Sequence, residues 1–208
     1  MTEWSLFLVG PEFKALDVLR WFCYPSAMET MAEQLSKPYP AEWSVRRALE
    51  VYLDENGFSA AEYDASVVKV TFWSITFPLP NPPSRQIAVR LHDLHHVVTG
   101  YGTDPVGEAE ISAWELRRGI GIFSLFVQTI VVGGVLLGLL HSPRKTLSAW
   151  RAGYHLNRIP LQEATLENYE RLLELSVGEL REVYGVERDG ITGARSLHYA
   201  APSRRGSD

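Results

Sequence analysis

His92-Asp93-Leu94-His95-His96 packs half of the chain's six histidines and an acid into one short run. Through Gly100 and Gly102 the chain then reaches Glu108. Imidazole and carboxylate are the side chains that hold divalent ions such as zinc or iron(II). On a helix, His92 and His96 lie four residues apart, one turn above each other, so both can reach a single ion. Asp93 is three residues before His96, on the flank of that face, as a fourth ligand or a nearby base. His95 lies on the opposite flank. Two imidazoles with one or two carboxylates leave coordination positions open for water or substrate. The plain alternative is a polar helix face that is rich in histidine. Glu110, two residues from Glu108, points to the other side of its helix. Glu115, two turns beyond Glu108, is either a support behind the ligands or a solvated acid. His141, His155 and His198 have no comparable neighbours.

These side chains need a helix, a sharp return and a second helix. Ile87, Leu91, Leu94 and Val98 recur at helical spacing and predict a helix over 85–98, with Ser84 placed to cap it after the break "PLPNPP" (78–83). Gly100 and Gly102 permit the return, and Asp104-Pro105 forms an N-cap and first-turn pair for the next helix. Glu108 then falls near the start of that helix, where it can fold back onto the His92/His96 face. Upstream, 41–55 reads as a helix stopped by Asn56-Gly57, and Ser59-x-x-Glu62 as a capping box. "SVVKVTFWSITF" (66–77) has strand propensity but no obvious hairpin partner. Downstream, Leu166, Tyr169, Leu173, Val177, Leu180 and Tyr184 trace one amphipathic helix within 163–185, ending at Gly185. The small, polar residues from Gly190 onward predict a mobile tail.

The expected architecture is all-α: a single helical domain over 1–189 with an apolar pocket, a short extended segment near 66–77, and a flexible tail over 190–208. With 208 residues, 46% of them hydrophobic, the chain can bury a sizeable core and is not a disordered protein. A net charge of −5 argues against nucleic acid as a partner. Cys23 is the only cysteine, which excludes an intrachain disulfide and suits a reducing compartment. "MTEWSLFLVGPEF" lacks the basic start and long apolar core of a signal peptide. Gly119–Leu140 carries no charge and lies between Arg117/Arg118 and Arg144/Lys145. As one helix it would be about 33 Å long, enough to cross a bilayer. Its five glycines favour a buried helix that lines an apolar cavity, broken at Gly133-Gly134.

His92-Asp93-x-x-His96, eleven residues and then Glu108 resembles the HDxxH-x11-E pattern of the coenzyme Q biosynthesis protein 4 family. "YLDENGFS" (52–59) and "VVTGYGTDPVGEAEISAWELRRG" (97–119) resemble the segments flanking that motif, so the likeness spans roughly 40–185. The resemblance implies an all-helical fold with an apolar pocket for isoprenoid or lipid tails. It implies peripheral attachment to a membrane, and removal of the ring C1 carboxylate with hydroxylation of that carbon in prenylated quinone precursors. It also implies partnership with the other quinone-synthesis enzymes. Without a mitochondrial targeting segment, the resemblance is to a bacterial member, cytoplasmic and peripheral at the inner membrane.

The functional expectation is a metal-dependent decarboxylase or hydroxylase acting on a hydrophobic prenylated aromatic precursor. His92, His96 and Glu108 hold one Zn2+ or Fe2+, with Asp93 as a fourth ligand or catalytic base, and 119–140 walls the tail pocket. Two rivals stay open: a non-catalytic lipid-binding scaffold, and a metal hydrolase with Asp93 as its general base. A homo-oligomer is compatible with each.

Overall fold

The computed structural model describes residues 38–72, 75–120, 123–154 and 165–191. The amino-terminal segment to residue 37, Cys23 within it, His155, His198 and the tail from residue 192 lie outside the described residues.

The architecture is mostly helical, with one two-stranded sheet. Helix α1 (Val45–Glu55) is capped by Ser44, whose hydroxyl accepts from the Arg47 N–H, and it ends at Asn56 with Gly57 at φ 67°. A 3-10 turn follows over Ala60–Asp64. The Ser59 side chain makes no cap hydrogen bond there, so the expected capping box does not form. The β-rich segment finds its partner in its own continuation: β1 (Val67–Phe72) pairs antiparallel with β2 (Ile75–Pro80), Val67 opposite Pro80 and Phe72 opposite Ile75. The prolines that looked like a hard break are tolerated because each strand of a two-stranded sheet is an edge, with one side free of ladder bonds.

Helix α2 (Pro83–Thr99) begins after Pro82, which replaces the expected Ser84 cap, and ends at Gly100 in the left-handed region (φ 81°). Leu91, Leu94, Val97 and Val98 on α2 are buried. Helix α3 (Pro105–Arg118) starts as expected: the Asp104 carboxylate accepts from the Val106 and Gly107 N–H groups, and Pro105 takes the first turn. The apolar run forms α4 (Leu125–His141), and α5 (Pro143–Ala152) follows. Helix α4 continues through Gly133-Gly134. Gly138 serves close packing: a β-carbon there would lie 2.6 Å from that of Ala109 on α3.

The expected single helix over 163–185 is two, α6 (Leu166–Leu173) and α7 (Val177–Tyr184). Two interactions divide it. Ser176 and Glu179 form a reciprocal capping box. The intervening backbone also bonds to the chain leading into α1, Val45 N–H to Leu175 O (2.8 Å) and Val177 N–H to Trp43 O (2.8 Å).

Helices α4 and α5 pack on α3, while α1, α6 and α7 pack around α2. The α2–α3 hairpin joins the two groups, and most of the buried apolar residues form one contiguous cluster. Gly190 and Ile191 stay attached to this body, with the Ile191 N–H donating to Thr99 O (3.0 Å) at the end of α2. No helix among the described residues is long and apolar enough to cross a membrane.

Candidate metal centre

Helical spacing on α2 stacks His92 over His96, and the capped start of α3 brings Glu108 against them. Their ligand atoms all lie within 4.8 Å of one another. His92 Nε2 and His96 Nε2 are 3.2 Å apart, with Glu108 Oε2 3.3 Å from the first and Oε1 3.5 Å from the second.

The outer nitrogens explain why this is a donor set. His96 Nδ1 lies 3.0 Å from the Tyr101 carbonyl oxygen, which can only accept, so Nδ1 carries the proton. His92 Nδ1 lies 3.0 Å from Glu115 Oε1, another acceptor, and is protonated for the same reason. Both Nε2 lone pairs are thereby turned toward one point beside a carboxylate, the arrangement in which outer partners orient metal-binding imidazoles. The two carboxylates beside His92 also favour a proton on its ring. Burial opposes a charge on His92, but Glu115 and Glu108 outweigh it and hold its imidazolium well above the usual range. His96, which is more deeply buried, is pushed down to about 4. The residues present fit one divalent ion with two nitrogen donors and one oxygen donor, and two of them, His92 and Glu108, also line a pocket.

Glu115 is the residue whose role the sequence left open. It is 1% exposed, and one of its oxygens accepts from both His92 Nδ1 and His95 Nδ1 (2.6 Å). These two imidazoles hold its carboxyl well below the usual range against the opposing effect of burial. His95 thus lies behind the site, fully buried between Trp114 and Tyr184. Glu110 is absent from the donor group and from the pocket wall.

Asp93 also stands outside the donor group. One residue beyond His92, its side chain is turned about 100° around the helix, toward α1 and the 3-10 turn. Its carboxylate accepts there from the hydroxyls of Tyr52 (3.2 Å) and Tyr63. Burial pushes its carboxyl up to about 6. The two tyrosines lie 41 and 30 residues away in the chain, so no local pattern pointed to them.

The pocket beside the cluster has Phe58, Ala88, Val89 and, from the uncharged run, Phe123, Val127, Ile130 and Val131 as apolar lining. Its polar lining is Arg85, His92, Asp93, Glu108, Ser112 and Glu115, with Tyr52 at its edge. This composition suits an apolar ligand held by a few polar groups.

No family model, curated protein or solved structure matches the chain. The likeness described above therefore rests on the spaced motif and its flanking segments.

Proposed function

We propose that the protein is a metal-dependent enzyme of quinone biosynthesis, acting on a hydrophobic prenylated aromatic acid at ring C1. The observation that carries this reading is the convergence of the His92, His96 and Glu108 donors, of which His92 and Glu108 also line a largely apolar pocket. Two histidines and one carboxylate with open positions is the donor set of non-haem iron(II) oxygenases. When bound, iron(II) would supply dioxygen activation and zinc would supply Lewis-acid polarisation of a ring oxygen. The overall change releases the carboxylate as carbon dioxide and places a hydroxyl on C1, a two-electron oxidation in which dioxygen and one water are consumed and hydrogen peroxide is the second product.

The chain's own residues bind, orient and move protons. Phe58, Val89, Phe123, Val127 and Val131 shield the prenyl tail and ring from water. Glu115 and the Tyr101 carbonyl hold the two imidazoles in place. Asp93 is the base: with its carboxyl at about 6 it is largely ionised at neutral pH yet basic enough to take a proton from a ring hydroxyl. The exposed apolar face of α4 suits contact with the inner membrane surface, where such substrates and the other quinone-synthesis enzymes would be met.

The test is turnover of 3-geranyl-4-hydroxybenzoate by iron-loaded protein in air, following oxygen uptake and the hydroxylated product. Asp93→Asn should keep the fold and most of the metal and lose roughly 10²–10⁴-fold in rate. Binding without turnover at any metal loading would favour the scaffold, and metal-dependent ester cleavage without oxygen uptake would favour the hydrolase.

A further inference from the structure

Arg85 is in the first turn of α2, two turns before His92 and on the same face, and it is 3% exposed. Its Nη1 donates to Asn81 Oδ1 (2.8 Å). Asn81 is itself fixed, since its Nδ2 donates to the carbonyls of Tyr63 (3.1 Å) and Ala65 (2.8 Å). The guanidinium is therefore held in one orientation. Its Nη2 is buried and has no hydrogen-bond partner among the described residues. Among the other buried arginines, Arg90 pairs with Asp64, while Arg118 and Arg181 donate to backbone carbonyls, and Arg181 Nη2 too is buried without a hydrogen-bond partner among the described residues. Of these four, Arg85 alone lines the pocket beside the metal ligands. Ser112 lines the same pocket with a buried hydroxyl that is also without a hydrogen-bond partner among the described residues. Ser112 is four residues beyond Glu108 and three before Glu115, so all three share one face of α3.

A buried guanidinium without an anion is costly, and burial lowers the Arg85 pKa in keeping with that cost. A fixed planar donor with a free N–H and a free hydroxyl on the wall of the same pocket match an anionic oxygen pair on an apolar body, and the guanidinium's charge offsets the Asp93, Glu108 and Glu115 carboxylates that also line it.

We infer that Arg85 and Ser112 form an oxyanion subsite that binds the carboxylate of the pocket's ligand, apart from the His92/His96/Glu108 cluster. The inference rests on the proposed function for the identity of the pocket's ligand. It adds that the carboxylate is read by protein donors, so the metal-facing positions remain for another part of the molecule. Arg85 is then the residue that makes an acid the preferred ligand over a neutral molecule of the same shape.

The test is calorimetric binding of two acid–ester pairs to the metal-loaded full chain: 3-geranyl-4-hydroxybenzoate and laurate, each against its methyl ester. The acid of at least one pair should bind roughly tenfold tighter or more, as a charge-assisted hydrogen bond supplies. A preference confined to the aromatic pair identifies a ring acid as ligand, and one confined to laurate a fatty acid; either upholds the subsite. Arg85→Gln should abolish the preference while leaving ester affinity and metal content unchanged. Metal-free wild-type protein, which needs no variant to fold, should keep the preference. Loss of the preference on metal removal, or its survival in Arg85→Gln, assigns the carboxylate to the metal and overturns the subsite. Equal binding of acid and ester in both pairs also overturns it and leaves the apolar pocket standing. No binding of any of the four overturns the pocket reading as well.

Discussion

Glu115 holds two histidines with a single oxygen, and only His92 of the two belongs to the metal-binding group. Replacing it with glutamine removes the charge that fixes the His92 Nδ1 proton and offers an amide N–H where only an acceptor fits. Outer partners of metal-binding imidazoles typically contribute 10- to 100-fold in affinity. Glu115→Gln should therefore weaken metal binding by that range in a competitive chelator titration, and Glu110→Gln should leave it unchanged. Equal affinity in Glu115→Gln and wild type would show that His92 needs no such tether. His92, His96 and Glu108 were legible because four-residue spacing and a glycine return act locally. Glu115 was half legible, sitting two turns beyond Glu108 on the same face. Its contact with His95 was hidden, since that depends on how closely α2 and α3 approach.

Packing of α4 against α3 and α5 turns on Gly138. A β-carbon there would lie 2.5 Å from Thr146 Oγ1 and 2.6 Å from the Ala109 β-carbon, well inside contact distance. Alanine in a helix gains up to about 1 kcal/mol over glycine in propensity. Overpacking a tight core contact costs about 1–3 kcal/mol. The second effect wins, so Gly138→Ala should lower the urea midpoint, whereas Gly133→Ala, with nothing within 4 Å, should hold or raise it. A stabilised Gly138→Ala would mean that α4 can shift without cost. The same glycines suggested a helix break when read in sequence, because flexibility is their local property. The helix runs on through Gly133, where nothing lies within 4 Å, while the close neighbours of Gly138 are a tertiary property that the sequence does not show. The split between α6 and α7 has a similar origin: the apolar stripe runs unbroken through 166–184, but backbone bonds from Val45 and Val177 interrupt the helix.

For the molecule as a whole, α4 buries one side and leaves Leu125 (79%), Leu136 (58%) and Leu140 (75%) exposed, with Arg144 and Lys145 just beyond its end. Seventeen residues of helix rise about 26 Å, short of the roughly 30 Å of a bilayer core. A surface contact of this kind should release the protein from membranes on alkaline carbonate washing. Retention in the washed pellet, read by immunoblot, would refute a peripheral attachment. The amino-acid sequence by itself determined the helical class, the α2–turn–α3 hairpin and the three donors that could hold a metal ion. Each of these follows from periodicity, capping or spacing within a few turns of chain. Only the tertiary structure decided the orientation of Asp93 toward Tyr52 and Tyr63, the bridging of two histidines by Glu115, and the burial of Arg85 with its Nη2 left without a hydrogen-bond partner among the described residues. Those arrangements join residues from separate elements, and their charges and hydrogen bonds are set by what burial places beside them.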